Sequence, residues 1–180
     1  MTDSSHPRPG RRVLVLVDLA GYAKAFTQHD DATMAAFTQA YYGVCARVLE
    51  GAGGRIVKFV GDACLAVFQS DHAPMAVEAV RSLDGQVAAL AAEGSIQVAM
   101  GANLHLGEVM EGLFGPEGHA RYDVIGAAMN DTARMGRGPG LRISRVLWQT
   151  LPEAERALWR PEENGEGGGA PVGSDVYTPS

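Results

Sequence analysis

Lysine is nearly missing from this chain: Lys24 and Lys58 are its two, against thirteen arginines. Acidic residues outnumber basic ones, 21 to 15, for a net charge of −6. That shortage of positive charge argues against a general nucleic-acid binder, which needs a basic surface to neutralise phosphates. It leaves room for a small anionic ligand held by a few placed groups. Cysteine is equally scarce. Cys45 and Cys64 sit among apolar residues, with no CxxC and no histidine at ligand spacing. A disulfide framework or zinc site is therefore not expected, and both are read as reduced core thiols. The five histidines form no HxxxH pair, and none is assigned to a metal. No apolar run nears the roughly 20 residues of a membrane span. The opening MTDSSHPRPGRR lacks the apolar core of a signal peptide. A GxxxxGK[ST] loop is also missing, so a P-loop ATPase is not indicated. The expectation is a cytoplasmic protein with no membrane partner, opening on a disordered tail over residues 1–12.

What is present fits a single domain of 180 residues. Val13 to Val17 is a continuous apolar run, as in a strand buried on both faces. Asp30 or Asp31 can cap the next helix, whose stripe is Phe37, Tyr41, Val44, Cys45, Val48 and Leu49. Gly51-Ala52-Gly53-Gly54 stops it. Ile56 to Val60 and Cys64 to Phe68 read as strands about a tight Gly61-Asp62 turn. A second amphipathic helix starts near Pro74 and buries Val77, Val80, Leu83, Val87 and Leu90. Ile96, Val98 and Met100 alternate as in a half-buried strand. The predicted class is α+β, a ferredoxin-like βαββαβ core with two helices on one sheet face. A C-terminal αβ extension follows: a strand over Leu106 to Leu113, a helix over Ala127 to Met135, a strand at Leu141 to Ile143 and a short helix from Ser144. Residues 161–180 are read as a Gly/Pro-rich loop before a last strand at Val176-Tyr177.

Asp18 ends a buried strand and Asp62 tips a tight hairpin. In the ferredoxin-like order both carboxylates project near one edge, where they repel unless a cation sits between them. Hard oxygen donors of this kind suit Mg²⁺ or Mn²⁺; the alternative is two ordinary turn aspartates. The backbone N–H groups of the small turn Ala20-Gly21-Tyr22 can face a triphosphate. Lys58 lies inside an apolar strand, where a lysine is costly unless it finds a partner. It is either a donor to a purine ring nitrogen or an edge lysine in solvent. Asn130 and Arg134, four apart, share one helical face. An arginine there can stabilise charge on a phosphoryl group, and the asparagine can orient a ribose or a water; the alternative is a solvated helix face. Gly136-x-Gly138-x-Gly140 is read as a flexible connector.

Four segments, VLVLVDLAGYAKAF, GGRIVKFVGDACLAVF, GANLHLGEVMEGLFG and RYDVIGAAMNDTARM, together resemble the class III adenylyl/guanylyl cyclase catalytic domain, in the family's order and at similar spacing. The resemblance covers Val13 to about Leu151 and implies a catalytic domain over 13–160. It implies that Asp18, Asp62 and the Leu19 carbonyl hold two divalent cations, Mg²⁺ or Mn²⁺. Lys58 and Asp123 match the pair that reads adenine, where guanylyl cyclases often carry Glu and Cys. Asn130 and Arg134 match the ribose-orienting and transition-state pair. The family's sites are shared between protomers, which implies a head-to-tail homodimer acting on ATP. Two departures stand out. No lysine follows Lys58, so the family's late triphosphate-contacting lysine is missing and Arg160 is a candidate substitute. Ala23 stands where the family often has Thr or Ser. The expected activity is conversion of ATP to 3′,5′-cyclic AMP and pyrophosphate. The alternatives are a cyclase for GTP or a pyrimidine triphosphate, or a non-catalytic nucleotide-binding dimerisation module.

Overall fold

A computed structural model describes residues 6–162 and 176–180. The readings for residues 1–5, and for most of the Gly/Pro-rich loop, lie outside the described residues. Eight strands form one sheet in the order β2-β3-β1-β4-β6-β8-β7, with β5 also paired to β4. The strands are β1 (Arg8–Ala20), β2 (Arg55–Val60), β3 (Ala63–Gln69), β4 (Ala99–Phe114), β5 (Arg121–Ile125), β6 (Gly140–Ser144), β7 (Trp159–Pro161) and β8 (Val176–Pro179). The helices are α1 (Tyr22–Ala25), α2 (Asp31–Gly51), α3 (Ala73–Glu93), α4 (Ala127–Arg134), α5 (Arg145–Trp148) and α6 (Glu153–Arg156).

The β2-β3-β1-β4 quartet with α2 and α3 is the expected βαββαβ core. Its cause is alternation along β1. Val13, Val15, Val17 and Leu19 point into the main core with Met34, Tyr41, Cys45 and Leu49 of α2 and Val80, Leu83 and Val87 of α3. Leu14 faces the other way, with Leu65, Val67, Val109, Val124 and Ala128. So β1 is buried on both faces, which explains its unbroken apolar run. Asp30 caps α2 as one of the two predicted candidates, accepting from the Thr33 amide at 2.7 Å.

Four boundaries differ from the sequence reading. β1 begins at Arg8 rather than Val13, because its arginine-rich start pairs in register with Glu108 and Glu111 of β4. Charge complementarity there carries what hydrophobic patterning does not reveal. The two strands expected around Met100 and Leu106 are one continuous strand of 16 residues, β4. β5 was not predicted as a strand. It pairs with β4 over Met110 to Phe114 and curls across the second sheet face to reach β2. β7 was also not predicted; it pairs with β8, and Trp148 stacks on Tyr177 with ring centroids 4.6 Å apart. Among the described residues no helix is long and apolar enough to cross a membrane.

Candidate active site

The antiparallel pairing of β1 with β3 sets Val17 opposite Cys64, so the end of β1 lies beside the β2–β3 turn. Asp18 and Asp62 are thereby brought together. The Leu19 amide donates to Asp62 Oδ2 at 3.1 Å, tying the turn to the strand end. Burial and then the nearby Asp62 charge push the Asp18 carboxyl above its usual range, against the opposing pull of Arg142 and Arg137. An aspartate whose ionisation is opposed by burial and by a second carboxylate beside it is suited to a cation. The donor set is all oxygen, which fits Mg²⁺ or Mn²⁺. Among the described residues no group of three or more His, Cys, Asp or Glu side chains gathers. A divalent ion held here therefore takes its other ligands from backbone, water or substrate.

Space at Asp18 is set by glycine. Asp18 pairs with Gly101 of β4. A Cβ at Gly101 would stand 2.5 Å from Asp18 Oδ1 and 2.4 Å from the Gly138 carbonyl oxygen. No larger residue fits without displacing the carboxylate or the loop. That loop, Gly136 to Gly140, is pinned rather than free. Arg142 donates to the Gly138 and Arg137 carbonyls at 3.3 and 3.2 Å and to Glu162 Oε1 at 3.2 Å. Asp18, Asn103 and Arg137 line a cavity of about 260 Å³ under it. Asn103 is buried and holds the end of α4, donating to the Thr132 and Gly136 carbonyls at 3.0 Å each.

The Asp62 turn has a second anchor. Tyr42 of α2 donates to the Gly61 carbonyl and stacks on Phe59 of β2, centroids 4.0 Å apart. Gly61 itself takes a left-handed φ of 58°. Gly21 has φ 89°, and a Cβ there would lie 2.8 Å from the Gln97 carbonyl oxygen, so the Ala20-Gly21-Tyr22 turn into α1 depends on glycine. The Tyr22 hydroxyl shares a hydrogen bond of 2.7 Å with Thr38 Oγ1, which fixes that turn to α2.

Lys58 and Asp123 also meet. Lys58 Nζ lies 2.7 and 2.9 Å from the two carboxylate oxygens of Asp123. A register shift between Ile56 and Lys58 turns Lys58 onto the second sheet face, opposite Leu65, where β5 passes. Asp123 also accepts from the Val124 amide at 2.8 Å. Asn130 and Arg134 stand exposed on α4, as their spacing predicts, and Arg134 Nη2 rests on Asp131 Oδ1 at 2.7 Å. Arg160 lies on β7 opposite Thr178. Sequence reasoning missed Gly101, Asn103, Arg137, Arg142 and Tyr42. All act between elements distant in sequence, where only the glycine-rich GRGPG run left a local signal.

A family model described as the adenylate and guanylate cyclase catalytic domain matches residues 8–144. An adenylate cyclase of Anabaena cylindrica is 25% identical over 133 residues, 69% of this chain and 26% of that protein. The chain thus spans about a quarter of the length of that curated relative. The solved adenylyl cyclase CyaB from P. aeruginosa superposes with a TM-score of 0.84 at 16% identity, covering 97% of this chain and 96% of that one. The guanylate cyclase domain of RhGC from Catenaria anguillulae gives 0.80 at 18% identity, covering 96% and 98%. At such identities these structures speak to the fold.

Proposed function

The chain belongs to the adenylate and guanylate cyclase catalytic domain family, and we propose that within it this protein is an adenylate cyclase, forming 3′,5′-cyclic AMP and pyrophosphate from ATP. The observation that carries the choice of base is the contact of Lys58 Nζ with both oxygens of Asp123. The pair offers one donor and one acceptor side by side, matching the ring nitrogen and exocyclic amine of adenine. Guanine presents the reverse pattern and would leave both groups unsatisfied, at about 1–3 kcal/mol each.

Asp18, Asp62 and the Leu19 carbonyl are the groups that would hold two divalent cations, Mg²⁺ or Mn²⁺. When bound, such ions supply Lewis-acid charge beside the attacking 3′-hydroxyl and the departing phosphates. The chain's own part is positioning. Asn130 orients the ribose. Arg134 exchanges Asp131 for an α-phosphoryl oxygen and stabilises the charge that develops there. The amides of Ala20, Gly21 and Tyr22 face the phosphates. The protein acts as a head-to-tail homodimer, with Asp18 and Asp62 from one protomer and Lys58, Asp123, Asn130 and Arg134 from the other. Exposed Val60, and Met110, Leu113 and Ile125 on the β4–β5 hairpin, supply apolar surface for such pairing.

The test is a panel of nucleoside triphosphates with Mn²⁺ or Mg²⁺, products identified by mass spectrometry. Cyclic AMP from ATP is expected. Cyclic GMP or a cyclic pyrimidine nucleotide in its place refutes the base assignment. ATP binding without any cyclic product identifies a non-catalytic module, the reading favoured by the missing late lysine. Mixing Asp18→Ala with Arg134→Ala protein checks the shared site. Each alone should be nearly inactive, and the mixture should recover activity from one intact site per heterodimer.

A further inference from the structure

A second polar cavity lies at the far end of the sheet from Asp18. It is a recess of about 150 Å³, with room for several waters. Arg8 and Arg12 of β1, Arg55 of β2, Glu111 of β4 and Tyr122 of β5 line it, with His6 at the rim. Glu111 is its one carboxylate, and that group is already satisfied. Arg12 donates to it from Nε at 3.0 Å and again from Nη2, and the Tyr122 hydroxyl donates at 2.9 Å. Arg8 Nε stands 3.8 Å away. Three guanidinium groups thus face one carboxylate.

Arg55 is the group left over. Its guanidinium carbon lies over the Tyr122 ring, 3.3 Å from the centroid. Among the described residues it donates to no acceptor and pairs with no acid. A guanidinium resting on an aromatic face leaves its N–H donors free for other partners, and Arg55 lines this cavity. Such a fork binds two oxygens of an anion at once. With Arg8 half-exposed across the cavity, the site has unspent donors and excess positive charge.

We propose that this cavity binds a small phosphate-type oxyanion, held by the unpartnered donors of Arg55 and closed by Arg8. It shares both its outer strands with the Lys58–Asp123 pair. Arg55 is three residues from Lys58 on β2, and Tyr122 adjoins Asp123 on β5.

The experiment is calorimetric titration of the full chain with inorganic phosphate and, separately, pyrophosphate, against chloride at matched ionic strength. Saturable binding of at least one of the two is expected, and the anion whose affinity falls in Arg55→Gln is the one this cavity takes, since pyrophosphate held in the nucleotide site as a product would bind that variant unchanged. Arg55→Gln should weaken it about tenfold or more, whereas Arg134→Ala, in the nucleotide site, should bind as the unaltered protein does. Unchanged affinity in Arg55→Gln, loss of affinity in Arg134→Ala, or no saturable binding at all would each overturn the proposal. If Arg55→Gln does not fold, Arg8→Gln, which leaves the Arg55–Tyr122 stack in place, decides it: weakened binding supports the site and unchanged binding refutes it.

Discussion

Asp18 sits where folding would not put an ionised group. Burial and the Asp62 carboxylate both raise its affinity for a proton. A carboxyl with a raised folded-state pKa stabilises the protein at low pH and loses that contribution as pH rises through the carboxylate range. Asp18→Asn should therefore raise the melting temperature of metal-free protein at pH 7 while lowering cyclase activity by at least about 100-fold. Added Mn²⁺ should raise the melting temperature of the unaltered protein and leave Asp18→Asn unmoved. Melting curves with and without Mn²⁺ at pH 7 check both. A variant no more stable than the parent without metal would mean that Asp18 ionises at no cost. At this scale much was legible. A carboxylate at the end of an apolar strand, another in a hairpin turn, and a lysine inside a strand are conspicuous by their local company. Gly101 was not legible, because its small size matters through Asp18 and the Gly138 carbonyl, both far away in sequence.

Elements carry the positions that single residues cannot. The β2–β3 turn is held from α2 by Tyr42, which fixes the Gly61 carbonyl beside Asp62. Tyr42→Phe keeps the stack on Phe59 and deletes one hydrogen bond. It should cost about 1 kcal/mol in urea denaturation and weaken Mn²⁺-dependent stabilisation, with unchanged circular dichroism. A stability loss without any change in the Mn²⁺ response would leave Tyr42 a purely structural clamp. The βαββαβ core was readable because α2 and α3 carry clean apolar stripes and β1 alternates between two cores. β5 escaped because Arg121 to Ile125 is short, and its Tyr122 and Asp123 are spent on contacts with β4 and β2 rather than on a core stripe. β4 was read as two strands because Gly101, Asn103 and His105 interrupt its apolar pattern. β1 pairs along one side of it, β6 and β5 along the other, and that pairing is what makes it continuous.

For the molecule as a whole, the two ends of the sheet should respond to pH in opposite directions. Burial alone would raise Glu111, but hydrogen bonds from Arg12 and Tyr122 and the charges of Arg12 and Arg8 hold its carboxyl below the usual range. A lowered folded-state pKa gives stability that is present above the ordinary glutamate value of about 4.3. That stability is lost as pH falls through the lower folded value. Glu111→Gln should be strongly destabilising at pH 7, since Arg12 is left buried without its partner. The penalty should shrink in acid, where Glu111 is protonated in the parent as well. Asp18→Asn should show the converse, a gain at neutral pH that fades in acid. Urea midpoints for both variants between pH 7 and pH 3 test this, and parallel pH profiles for parent and variants would contradict it.

β4 has one more bearing on how the molecule behaves in time. Ala102, Asn103 and Leu104 are bracketed by β1 on one side and β6 on the other, and they are buried. Their amide protons have no shallow opening through which to meet deuterium, so they should trade only when the entire chain comes apart. The carboxylate pair is thereby moored next to the segment that surrenders its protons last, while Asn130 and Arg134 ride a helix on the surface. On the proposed function, one half of the chemistry would be staked to the slowest part of the fold and the other half set on its solvent-facing side.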